Sequence, residues 1–176
     1  EQFLPQISRL KGVETLEGKG HKDIFAHTLQ VLDNICPNTD NLWLRWAALL
    51  HDIGKPSTYT EGDDGIGHFH GHPEVSAEMA RTILTRLKSD NATLNRVVTL
   101  VREHDHVFPT TRAGMRRYIG KLGEDVIEQL FHIKRADHAA QSDYEQEHKS
   151  ATLRQATLLI DELMEEEHAF TIKDLH

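Results

Sequence analysis

The chain has 176 residues, 38% hydrophobic and 27% charged, which suits one domain with a real core and excludes a disordered or fibrous protein. Twenty basic against twenty-eight acidic side chains leave a formal charge of −8, which argues against a protein that grips nucleic acid through a generally basic surface and leaves room only for a local patch. Thirteen histidines are the unusual feature, and surplus imidazole in an acidic chain makes metal binding the first chemistry to test.

In chain order, the first long helical pattern runs from about Lys22 to Ile35, with Ile24, Thr28, Val31, Leu32 and Ile35 at helical spacing and Pro37 as its stop. Asp40 can cap the next, from about Asn41 to His51. Its Trp43, Trp46, Ala47, Leu49 and Leu50 leave little polar face, so it is expected at the buried centre, ended by Gly54 and Pro56. Residues 57–71 read as a short β-hairpin or an irregular loop, with Asp63 and Asp64 as solvated turn acids. Pro73 opens a helix to about Lys88, Asn91 caps one to about His104, and Thr111 caps a short one to Leu122. Helices follow from Glu124 to about Gln141 and from about Glu145 to Glu167. The predicted fold class is all-α with one short β interruption. The expected organisation is a single domain over residues 1–169, with residues 170–176 as the truncated start of a further element. Beginning at Glu1, the chain reads as a processed or expressed piece of something longer. The sole cysteine, Cys36, forms no internal disulfide, and no run approaches the roughly 18 apolar residues of a membrane span, so a reducing cytoplasmic setting is the default.

Placed on these helices, several histidines and acids face inward. His27 lies on the stripe of Ile24 and Val31, His51-Asp52 ends the most buried helix, and His72 sits at a helix mouth before Pro73. His104 continues the line Leu94, Val97, Val101, and Asp137 continues Val126, Leu130, Ile133. A lone inward histidine is more often a hydrogen-bonded core residue than a ligand. A carboxylate among Val, Leu and Ile is harder to dismiss, because it is costly to bury unless paired or metal-bound, and Lys134 and Arg135 leave on other faces. Separate helix faces that each aim imidazole or carboxylate inward point to a metal. Such a donor set suits Mn, Fe, Co, Ni or Zn, with Mg as a further option, and without thiolates it is not a structural zinc site.

The string His51-Asp-Ile-Gly-Lys55, with helical His27 upstream and Asp137 downstream, resembles the HD superfamily of metal-dependent phosphohydrolases. The resemblance implies an HD-domain helical bundle in which His27, His51, Asp52 and Asp137 bind one divalent ion. It implies too that His72 and His104 hold a second, with Asp52 bridging. A closer likeness covers most of the chain. Leu10-Lys-Gly-Val13, His27-Thr-Leu-Gln-Val-Leu-Asp33, Arg45-Trp-Ala-Ala-Leu-Leu-His-Asp-Ile-Gly-Lys-Pro56, Phe69-His-Gly-His72, Lys134-Arg-Ala-Asp137 and Thr171-Ile-Lys-Asp-Leu175 are similar to the HD region of bacterial CCA-adding tRNA nucleotidyltransferases. The Gly-Ser and spaced Asp-x-Asp of that family's polymerising head do not occur here, so nucleotide addition is not expected of this chain.

The resemblance implies hydrolysis of phosphomonoesters or of 2′,3′-cyclic phosphodiesters of nucleotides or RNA ends, with Asp52 and Lys55 as the catalytic residues. Lys55 can reach a nonbridging phosphate oxygen as a point charge. Arg112, Arg116 and Arg117 form the one compact basic patch and are candidates for phosphate or tRNA contact. Asp105 can orient a ligand imidazole, His68 and His70 can line the pocket mouth, and His132, His138, His148 and His168 read as surface residues. The expected partners are a nucleotide phosphate or a tRNA 3′ end, with a homodimer as an option and no membrane. Two rival readings are a non-catalytic tRNA-contacting or dimerising module whose metal is structural, and a di-iron oxygenase, against which Lys55 favours phosphate chemistry.

Overall fold

The computed structural model describes residues 3–17, 20–63, 67–141 and 143–173, with side chains throughout these except at 14–17, 20–22, 143–150 and 167–173. Asp64 therefore lies outside the described residues, as do residues 174–176 and the side chains of His148 and His168. A single-turn α1 (Pro5–Ser8) leads into the hairpin β1 (Glu14–Glu17) and β2 (Gly20–Asp23). Next come α2 (Ile24–Ile35), α3 (Leu42–Leu50), a one-turn α4 (Lys55–Thr58), and a second hairpin of β3 (Thr60–Glu61) and β4 (Gly67–His68). The chain then continues as α5 (His72–Arg86), α6 (Asn91–Glu103), α7 (Arg112–Leu122), α8 (Glu124–Ala139) and α9 (Asp143–Lys173). The fold is all-α, and the β interruption within 57–71 is a hairpin with Thr60 opposite His68.

α2, α3, α6 and α7 begin where short polar side chains satisfy the free N–H groups of a first turn. Asp23 accepts from Phe25 N, and Thr111 accepts from Gly114 N. Two caps fall one residue away from their expected place. Asn41, not Asp40, accepts from Trp43 N and Leu44 N, and the exposed Asp40 pairs with the Arg45 guanidinium at 2.9 Å instead. Asp90, not Asn91, accepts from Thr93 N, and Asn91 is the first helical residue. The first hairpin was not expected: its strands, Glu-Thr-Leu-Glu and Gly-His-Lys-Asp, are too polar to alternate. α9 runs past the expected Glu167, so residues 170–173 belong to the same helix.

α3 packs against α2, α5, α6 and α8, which is why its Leu44, Ala47, Ala48 and Leu50 are buried while Trp43 and Trp46 stay half-covered. α5 and α6 lie side by side, and α9 buries Leu153, Ala156, Ile160 and Leu163, at helical spacing, over α7 and α8. No helix among the described residues is long and apolar enough to cross a membrane.

One close approach fixes the end of α3 against α5. Gly54 donates its N–H to the buried Ser76 Oγ at 2.9 Å, and a Cβ on Gly54 would stand 2.7 Å from Ser76 N and 2.8 Å from the His72 carbonyl. Both are backbone atoms that cannot step aside. Gly54→Ala is therefore expected to lose about 1–3 kcal/mol, read as a fall of several degrees in Tm. An unchanged thermal melt would show that α5 can move away freely.

Candidate metal centre

The inward residues of five elements meet at one point. His27 comes from the first turn of α2, Asp137 from the last turn of α8, His72 from the first residue of α5, and His51 and His104 from the C-caps of α3 and α6. Asp52 follows His51 and stands at the centre. His51 Nε2 lies 3.2 Å from Asp52 Oδ2 and His27 Nε2 3.9 Å from the same oxygen, while His72 and His104 Nε2 lie 3.4 and 3.7 Å from Oδ1. His27 Nε2 also meets Asp137 Oδ1 at 2.8 Å, and His51 Nε2 stands 3.8 Å from it. Asn34 Nδ2 donates to the Ala136 carbonyl at 2.9 Å and so ties α2 to α8 beside this pair. The positive φ of Gly71 (+75°) turns the chain into α5 and brings His72 to the site.

The second contacts of the imidazoles decide what the site wants. His51 Nδ1 lies 2.8 Å from the Ala48 carbonyl, His72 Nδ1 2.9 Å from Phe69 O, and His104 Nδ1 2.7 Å from Val101 O. A carbonyl can only accept, so each Nδ1 carries a proton and, in the neutral ring, each Nε2 presents a lone pair. These lone pairs converge on a carboxylate that also only accepts. His72 and His104 Nε2 are 3.4 Å apart, and buried His51 Nε2 and Asp52 Oδ1 have no hydrogen-bond partner. Acceptors packed against acceptors are stable only around a cation. Two overlapping groups, His27-His51-Asp52 and Asp52-His72-His104, have ligand atoms within 4.8 Å of one another and could each hold a metal ion. The residues present therefore fit a divalent ion of the imidazole-carboxylate class.

The charges agree. Burial favours a neutral Asp52, yet His51, Lys55 and His104 hold its carboxyl well below the usual range. Burial likewise favours a neutral Asp137, and His27 and His51 outweigh it to keep that carboxyl ionised. Burial pushes the His51 imidazole down, but Asp52 and Asp137 raise it overall, as expected of a place that attracts positive charge. His104 is lowered, by burial and then by the nearby His51.

Of the other sequence candidates, only Lys55 touches the cluster. Lys55 Nζ reaches Asp52 Oδ2 at 2.9 Å and lies over the Phe69 ring at 5.6 Å, at the solvent edge of the cluster. Arg112 and Arg116 are engaged by Glu162 and Glu166 of α9, Arg117 is exposed, and Asp105 is exposed beside His104. His68 and His70 stack on each other at 5.3 Å without entering either ligand group. The sequence reading missed Ser76, which has no local signal across 22 residues, and Gln141, whose Nε2 donates to Asp137 Oδ2 at 3.2 Å. The four-residue spacing between Asp137 in the last turn of α8 and Gln141 just beyond its C-cap was the available clue.

The family model described as HD domain matches residues 24–142, the span that contains every residue of the cluster. The chain belongs to the HD domain family. The chain is similar to an A-adding tRNA nucleotidyltransferase of Deinococcus radiodurans, 38% identical over 141 residues, covering 78% of this chain and 32% of that protein. A CC-adding tRNA nucleotidyltransferase of Thermus thermophilus is 34% identical over 155 residues, covering 82% of this chain and 34% of its own length. A multifunctional CCA protein of Aromatoleum aromaticum is 35% identical over 104 residues, covering 58% of this chain and 25% of that one. The chain thus spans a quarter to a third of the length of these curated relatives.

Proposed function

We propose that this HD domain is a metal-dependent phosphohydrolase acting on phosphomonoesters or 2′,3′-cyclic phosphodiesters at nucleotide or RNA ends. The observation that carries the reading is the convergence of the His51, His72 and His104 Nε2 lone pairs on Asp52. His27, His51, Asp52 and Asp137 would hold one divalent transition ion, and Asp52, His72 and His104 a second. Bound ions of this class supply Lewis acidity and an acidified water for attack on phosphorus. Lys55, 17% exposed at the rim, offers its ammonium to a nonbridging phosphate oxygen while it steadies Asp52. That cation favours phosphate chemistry over oxygen activation. The names of the relatives support an RNA end as the substrate, and the lone thiol Cys36 accords with a reducing cytoplasm.

The test is hydrolysis of a generic phosphomonoester and of a 2′,3′-cyclic nucleotide with Mn, Co or Ni supplied. Lys55→Ala is expected to keep its metal and to lower kcat/KM about 10–100-fold, the size of one lost charge contact in the transition state. A metal-loaded protein inert towards both substrates would leave the non-catalytic module as the better reading.

A further inference from the structure

Three clefts share walls around α8. The smallest, about 210 Å³, is lined by the cluster residues His104 and Asp137 and by His138 and Leu153. His138 and Leu153 also line the second, about 580 Å³, between α8 and α9. Arg135 and Ala139 pass from the second into the third, about 680 Å³, which ends at Asn38 and Thr39 beyond α2. A continuous path therefore leads from the metal centre around α8.

The walls of this path have two chemistries. Arg135 and Arg154 stand on it exposed, and neither has a carboxylate partner among the described residues; Arg9, Arg81, Arg86 and Arg117 share that property but lie off the path, and Arg45, Arg96, Arg102, Arg112 and Arg116 are ion-paired. Val107 beside the inner cleft (71% exposed) and Leu158 beside the second (66%) are the most exposed large apolar side chains among the described residues. Exposed guanidinium groups without a carboxylate among the described residues, beside bare apolar side chains, suit a strand that shows phosphates and unstacked bases together. A duplex would hide its bases from Val107 and Leu158. The inner cleft, at about 210 Å³, falls below the roughly 300–1,000 Å³ of a small-molecule site, so it takes a terminal group and leaves the rest of its ligand to the next cleft.

We propose that the path from the metal centre past Leu153 to Arg154 and Arg135 is a track for single-stranded RNA, which enters by its terminal phosphate. The identity of that terminal group rests on the phosphohydrolase reading; the affinity of the track does not. The test is fluorescence anisotropy of a labelled 12-nucleotide single-stranded RNA with the full chain after chelation, so that no turnover is involved. Arg135→Glu/Arg154→Glu is expected to weaken binding at least about 10-fold and to flatten the slope of log K against log salt by about 1.4, since each of the two phosphates no longer neutralised accounts for about 0.7. Arg112→Glu/Arg116→Glu, with equal charge change at ion-paired positions, is the control and should weaken binding less. A thermal melt confirms that both variants fold; the affected arginines are exposed. Equal weakening by both pairs would mean that only net charge matters and would overturn the track. So would an unchanged slope for Arg135→Glu/Arg154→Glu, or a preference for a duplex of the same length. A protein inert towards phosphoesters that still binds RNA through Arg135 and Arg154 would sink the proposed activity and leave the track standing.

Discussion

Asp52→Ala is expected to abolish metal binding and turnover together. Its carboxylate is 2% exposed and is approached by His27 and His51 on one oxygen and by His72 and His104 on the other. It is thus the one group common to both sets of ligand atoms. Loss of an outer partner of a metal ligand lowers affinity roughly 10–100-fold, so loss of the shared carboxylate should exceed that range for both ions. Lys55 loses its 2.9 Å partner at the same time, and phosphate positioning goes with it. Elemental analysis and single-substrate kinetics on the same preparation check this. Metal retained at full content, or turnover persisting in the metal-free variant, would contradict the central place given to Asp52.

His51→Ala should carry the largest loss of stability. The imidazole is 1% exposed, its Nδ1 satisfies the Ala48 carbonyl at the end of α3, and it offsets both Asp52 and Asp137. Its removal leaves a buried carbonyl without its side-chain donor and two carboxylates without a shared partner. Leaving a buried acceptor unsatisfied costs about 1–3 kcal/mol, and the cavity left by the imidazole adds to it, so that Tm should fall by several degrees for a chain of this length. Such a variant should also lose the ion of the His27-His51-Asp52 group. His72→Ala, by contrast, disturbs only the Asp52-His72-His104 group and should retain one ion. Loss of all metal from His72→Ala, or full metal in a folded His51→Ala, would show that the residues are grouped wrongly.

The inward line of each helix was legible because apolar spacing reports which face is buried, and His27, His104 and Asp137 fall on such lines. His51-Asp52 could be placed because the residues before it leave almost no polar face. The polar strands of the first hairpin carry no such pattern and were missed. Contacts between distant segments were equally hidden. Arg112 and Arg116 read as a basic patch until α9, some 50 residues later, brings Glu162 and Glu166 against them. The carbonyls that fix the imidazoles lie only three residues upstream of each ring, at Ala48, Phe69 and Val101. They become available only because the helices end there, or in the case of His72 begin there, and end positions are the least certain part of a sequence reading.

Metal content measured beside turnover tests the metal-dependent hydrolase most directly. Purified chain is assayed by elemental analysis and for hydrolysis of a 2′,3′-cyclic nucleotide as isolated, after chelation, and after reloading with Mn, Co or Ni. One or two divalent ions per chain should be found, lost to the chelator together with activity and regained together with it. A correctly folded chain that takes up none of these ions, or that hydrolyses the substrate equally well without them, would contradict the account.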